Sequence, residues 1–303
     1  MGIPSGRGFW ICFLHLQILL SGGMVGMAVA GSGSTGPAPK GEGEIKVKSG
    51  RGEIRVFTYK PESFSSGPIL FVFSGMKRNA ANYRDYAVPL AQKLRAMVAA
   101  PLFDNETFPA LAYAHGNIRR GDGSLQPRKD WSFTAGTEVI RSVLAREGNP
   151  RRPHFLLGHS AGGQFVVRYT LAETSAARRI LAANAGSYVF PRADWDWPYG
   201  LGTLPASLGA EQNLRKFLAA PLTVLLGQAD TNNSVEAGNF DASAEADRQG
   251  TNRLGRGRNF FESGRSLAQE KGWKFGWEKV EIPGVAHEGK LMINDLATQK
   301  ALR

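Results

Sequence analysis

The segment Gly158-His159-Ser160-Ala161-Gly162 constrains this chain more than any other. It follows an apolar run, Phe155-Leu156-Leu157, and precedes Gly163-Gln164-Phe165-Val166-Val167, which continues as a helix. A strand that turns sharply into a helix at a serine leaves room only for small residues two before and two after it. Gly158 and Gly162 meet that demand. The serine oxygen then stands clear of the sheet, at the positive end of the following helix. With 37 glycines in the chain, the G-x-S-x-G spacing alone says little, and the flanking strand and helix carry the inference.

Around this turn, strand and helix patterns alternate. Ile45–Lys48 and Ile54–Phe57 alternate apolar and polar residues and read as an antiparallel hairpin around Ser49-Gly50-Arg51-Gly52. Ile69–Phe73 is a continuous apolar run, as in a strand covered on both faces. Residues 79–95 fit a helix with Tyr83, Tyr86, Leu90 and Leu94 on one face, and Met97–Ala100 is a short strand stopped by Pro101. Thr134–Arg146 and 258–271 read as helices; Arg179–Ala183, Leu222–Leu226 and Gly276–Ile282 read as strands. The order predicts an α/β fold, a mostly parallel central sheet with helices on both faces after an opening β-hairpin. Ligands of such sheets sit beyond the carboxyl ends of the strands, where Ser160 lies.

Residues 1–30 read as a secretory signal peptide: Arg7, an apolar core from Phe9 to Leu20, and the small-x-small site Ala28-Val29-Ala30. That core is too short to span a bilayer by itself, so membrane attachment follows only if the segment stays uncleaved. Residues 31–43, rich in Gly, Ser and Pro, read as a flexible linker, and 44–303 as one catalytic domain. The expected location is secreted or periplasmic. Cys12 is the only cysteine, so cleavage leaves no thiolate for catalysis, disulfides or zinc. The net charge of +11 is spread among acids without a zinc finger, an aromatic RNA-binding motif or a long basic run. It argues for a solvated surface and against nucleic acid as partner. No cofactor and no metal is called for.

A serine hydroxyl needs a base within hydrogen-bond reach, the base needs an orienting acid, and the developing oxyanion needs donors. His15 belongs to the signal segment, His159 projects elsewhere from the turn, His154 opens a buried strand, and His115 lies upstream of the serine. His287, in the loop Pro283–Gly289 just after the last strand, is the candidate base. The apolar run 222–226 ends at Asp230, the candidate acid, with Glu236 as fallback from the same loop. The N–H groups of Ala161 and Met76 are the candidate oxyanion donors, the latter from the Ser74-Gly75-Met76 turn. Lys77 and Arg78 follow, either as a solvated pair or as partners for an acidic part of a substrate. Arg253 and Arg256, between acid and base in sequence, read as structural salt bridges. Tyr188, Phe190, Trp195 and Trp197 fit no period and suggest a small aromatic cap loop lining the substrate pocket, with Trp131 as a further wall.

With these residues in hand, the chain resembles the α/β-hydrolase superfamily, and within it secreted poly(3-hydroxybutyrate) depolymerase-like and feruloyl-esterase-like serine esterases. The resemblance covers about residues 52 to 298. It rests on Gly158–Gly163, the strand end Gly227–Asp230, Gly284-Val285-Ala286-His287 and Asn184–Tyr188. It implies hydrolysis of a small-molecule or oligomeric carboxylic ester through an acyl-serine, with Ser160 attacking, His287 relaying protons and Asp230 orienting the imidazole. The chain departs from the family where His-Gly is usual and Ser74-Gly75 stands here. A peptidase of the same fold and a non-catalytic envelope binding protein are the alternatives.

Overall fold

The computed structural model describes residues Gly2, 36–234 and 240–303. The alternating segments form the expected hairpin, longer than the pattern alone suggests: β1 (Gly41–Ser49) pairs antiparallel with β2 (Gly52–Lys60). The expected linker therefore ends earlier than residue 43. Gly41–Gly43 already pair with Thr58–Lys60, and Ala38 is buried in the core. Glycine and proline there read as linker because they carry no period, yet strand pairing uses only their backbone. The signal-peptide segment lies outside the described residues.

Six further strands follow: β3 (Ile69–Phe73), β4 (Met97–Pro101), β5 (His154–His159), β6 (Arg179–Ala183), β7 (Leu222–Gly227) and β8 (Glu278–Ile282). The sheet order is β1-β2-β4-β3-β5-β6-β7-β8, with β2 antiparallel to β4 and every pair from β4 to β8 parallel. The longer helices are α1 (Ala80–Leu94), α3 (Ser132–Arg146), α4 (Ala161–Ala172), α6 (Glu211–Ala219) and α8 (Arg253–Lys271). Shorter ones are α2 (Ala110–His115), α5 (Ala206–Gly209), α7 (Ala244–Asp247), α9 (Gly289–Asn294) and α10 (Leu296–Ala301). The helix expected from 258 starts five residues sooner, because the Asn252 side chain caps it by accepting from Gly255 N–H at 2.8 Å.

Strand β3 shows why both faces need helices. Ile69, Phe71 and Phe73 enter one apolar cluster with Val139 and Val143 of α3 and Phe165 of α4. Leu70 and Val72 enter another with Ala87 and Leu90 of α1, Ile293 of α9 and Ala301 of α10. All five β3 side chains are fully buried, each stabilising the fold by roughly 1.5–3 kcal/mol relative to exposure. Phe165 anchors the first face. Its ring stacks on Phe73 at 4.7 Å and meets Phe103, Tyr113 and Phe133 at 5.1–5.3 Å.

Candidate active site

The turn from β5 into α4 has the geometry its glycines imply. Ser160 sits at φ 58° and ψ −117°, a backbone region that non-glycine residues rarely occupy. A Cβ on Gly158 would lie 2.0 Å from the Gly162 carbonyl oxygen, and one on Gly162 would lie 2.1 Å from that of Phe73. Backbone against backbone leaves no relief, so both positions require glycine. The Ser160 N–H donates to the Ala183 carbonyl at 3.0 Å, which ties the strained residue to β6.

The structure brings Ser160, His287 and Asp230 together in one chain of hydrogen bonds. His287 Nδ1 lies 2.7 Å from Asp230 Oδ2, and His287 Nε2 lies 3.0 Å from Ser160 Oγ. An ionised carboxylate only accepts, so Nδ1 carries the proton and Nε2 is left free to accept from the serine hydroxyl. Asp230 is almost fully buried, and Arg253 Nη1 approaches its other oxygen, Oδ1, at 3.6 Å. Burial makes that guanidinium's pKa fall, while Asp230 opposes the fall. Arg256 instead pairs with Asp247 at 2.9 Å and donates to the Gly186 carbonyl.

Two further residues fix the geometry, and sequence reasoning gave them no such role. Asn184, at φ 45°, accepts from Gly227 N–H at 2.7 Å and donates to the Ala286 carbonyl at 2.8 Å. It thereby couples the Asp230 strand end to the His287 loop. An asparagine just past a buried strand was the available signal, since Asn tolerates the left-handed region. His159 does not project away from the site as expected. Its ring lies 4.8 Å from that of His287, and Tyr83 Oη lies 2.7 Å from its Nδ1. Burial, with the neighbouring His287 and Arg253, holds the His159 pKa far below its usual value, so the ring stays neutral. Burial also pushes Tyr83 up to about 12.

A cavity of about 440 Å³ opens at Ser160. Gly75, Met76 and Lys77 line it from the turn after β3, Tyr83 and Tyr86 from α1, and Glu288 and Lys290 from the segment after His287. Ala161 is the first residue of α4, so its N–H lacks an intrahelical acceptor. Gly75 approaches the serine closely, since a Cβ there would lie 3.5 Å from Ser160 Cβ. Arg78 turns inward, donates to the Phe103 and Phe108 carbonyls and stacks on Tyr113 at 3.9 Å.

The expected aromatic cap is not there. Tyr188, Phe190, Trp195, Trp197 and Trp131 all lie away from the cavity lining. Tyr188 is fully buried and stacks on Phe260 at 4.7 Å, and Phe190 packs on Trp195 at 5.1 Å. Trp197 meets Phe133 edge-on at 6.5 Å, and Trp131 donates its indole N–H to the Gln126 carbonyl. These rings cover the α3–α4–α8 side of the core, where large apolar area outweighs any pull toward solvent. Of the other histidines, His115 ends α2, held by burial at a pKa of about 3. His154 is buried against the Arg152 carbonyl. Glu236 lies outside the described residues. Among the described residues no group of three His, Cys, Asp or Glu side chains could hold a metal ion.

No protein-family model and no curated protein matches the sequence. Solved structures do. Poly(aspartic acid) hydrolase-1 from Sphingomonas sp. KT-1 is 34% identical, with TM-score 0.79, over 88% of this chain and 98% of that one. LpqC, a poly(3-hydroxybutyrate) depolymerase from Bordetella parapertussis, is 29% identical, with TM-score 0.78, over 88% of this chain and 96% of that one. The chain belongs to the α/β serine hydrolase family. An S-formylglutathione hydrolase from Agrobacterium tumefaciens, at 16% identity and TM-score 0.54 over 86% of this chain and 95% of that one, shares the fold. Within this hydrolase, no helix among the described residues is long and apolar enough to cross a membrane.

Proposed function

We propose that this hydrolase cleaves carboxylic esters through an acyl-serine intermediate. Ser160 attacks the ester carbonyl while His287 Nε2 takes its proton, and Asp230 holds the imidazole in the tautomer that accepts it. The backbone N–H groups of Ala161 and Met76 stabilise the oxyanion as it forms. His287 then returns the proton to the departing alcohol, and water releases the acid by the same steps in reverse. The observation that carries this reading is the unbroken relay from Asp230 through His287 to Ser160, 2.7 and 3.0 Å in its two links, opening on a cavity. The resemblance to a depolymerase over nearly the whole of both chains supports an ester as substrate.

The test is hydrolysis of a p-nitrophenyl ester series, acetate to palmitate, by the native chain and Ser160→Ala. Turnover that disappears in the variant is the expected result, and the preferred chain length sizes the cavity. Turnover that persists in the variant would overturn the assignment of Ser160. We also propose that residues 1–30 direct export and are removed after Ala30. Mass spectrometry of the exported protein should find Gly31 as its first residue, and a retained Met1 would contradict this.

A further inference from the structure

The cavity beside Ser160 has a charge pattern that ester hydrolysis alone does not require. Lys77 reaches it from the turn after β3, and Lys290 from the first turn of α9. The two ammonium groups come from segments 213 residues apart in sequence and converge on one cavity. Among the described residues neither has a carboxylate within 4 Å, although thirteen other Lys or Arg pairings with acids occur. The one acid lining the cavity, Glu288, accepts from the Ala286 N–H at 3.2 Å. Behind Lys77, the buried Arg78 guanidinium donates only to the Phe103 and Phe108 carbonyls and pairs with no carboxylate. A charge held in that interior is poorly screened, so it adds to the positive potential at the turn.

Resting on the serine-esterase reading above, we propose that the cavity selects esters whose acyl part carries a carboxylate, and that Lys77 and Lys290 hold it. The substrate class is the half-ester of an aliphatic dicarboxylic acid, free or at the end of a chain. The acyl carbonyl faces Ser160 and the far carboxylate lies between the two ammonium groups. Lysine suits this task because its flexible stem follows acyl groups of different length, whereas arginine demands a fixed bidentate geometry.

The experiment compares mono-p-nitrophenyl adipate with methyl p-nitrophenyl adipate, which differ only by a methyl cap on the far carboxylate. For the native chain the ratio of kcat/KM, charged over capped, should exceed one. In Lys77→Gln/Lys290→Gln it should drop about tenfold, roughly the effect of a pair of partly exposed charges. The Lys77→Arg/Lys290→Arg variant should recover most of it, and 0.5 M salt should lower the native ratio. A ratio that the glutamine variant leaves unchanged overturns the proposal. A binding measurement separates this from failure of the esterase reading. Calorimetry on Ser160→Ala with monomethyl adipate and dimethyl adipate needs no turnover. A preference for the monoanion that the two lysine substitutions abolish upholds the subsite, and equal binding of both compounds overturns it.

Discussion

The two aromatic regions of this molecule look alike in sequence and do opposite things. Tyr188–Tyr199 carries five aromatic side chains and two prolines with no regular period, while α1 presents only Tyr83 and Tyr86. The first region sinks into the core against Phe260 and Phe133. The second lines the cavity at Ser160. Aromatic density measures how much apolar area a segment must hide. Which rings face a reacting group is decided by which strand ends meet, and here the turn after β3, α1 and the His287 loop meet at the end of β5.

The sharpest separation of machinery from scaffold is at the serine. Ser160→Ala should lower kcat by about a million-fold, the scale on which a catalytic serine acts, while the thermal unfolding midpoint is held or raised as backbone strain has no role in the variant's turnover. A variant that unfolds would break the distinction. Asp230→Asn comes next, with a loss of about 10⁴ in kcat, because an amide at that position favours the wrong imidazole tautomer. Substrate KM should move little, and rate measurements across a range of ester concentrations would show it.

Tyr188→Ala and Tyr86→Ala test the aromatic comparison directly. The first should destabilise the fold by about 3–5 kcal/mol in denaturant titration, as a buried ring leaves a cavity behind. Protein that remains folded should keep its kcat. The second, on a half-buried residue, should cost about 1 kcal/mol or less and raise KM for the bulkier esters. A Tyr188 variant with altered substrate preference and normal stability would restore the cap that the sequence suggested.

The smallest effect is on acid stability. Burial holds His115 at about 3 against its usual 6.5, and it depresses His154 and His159 as well. The unfolded chain takes up protons at these sites first. Their contribution to stability is therefore complete above about 6.5 and is lost as pH falls through that value toward 3. The thermal midpoint should be lower at pH 5 than at pH 7.5, and a midpoint that rises in acid would contradict the buried neutral state.

Much of this protein was legible before its structure. Gly158 and Gly162 around Ser160 require a strand–turn–helix in any fold, since a side chain at either would collide with backbone. The continuous apolar run Ile69–Phe73 requires a strand covered on both sides, and the strand–helix alternation requires a largely parallel sheet. Asp230 and His287 were readable because each follows the end of a strand, and parallel strands bring such ends to one edge. Short helices such as α2 and α9 were not readable, since six residues hold too few turns for a period to register. Nor was the wall of the cavity. Met76, Lys77, Tyr83, Tyr86 and Lys290 share no local pattern, and His159 stands against His287 only because β5 ends beneath that loop. Local sterics and hydrophobic period act within a few residues and are written in the chain. The company a side chain keeps across the sheet depends on strand order and helix packing, and only the tertiary structure decides it.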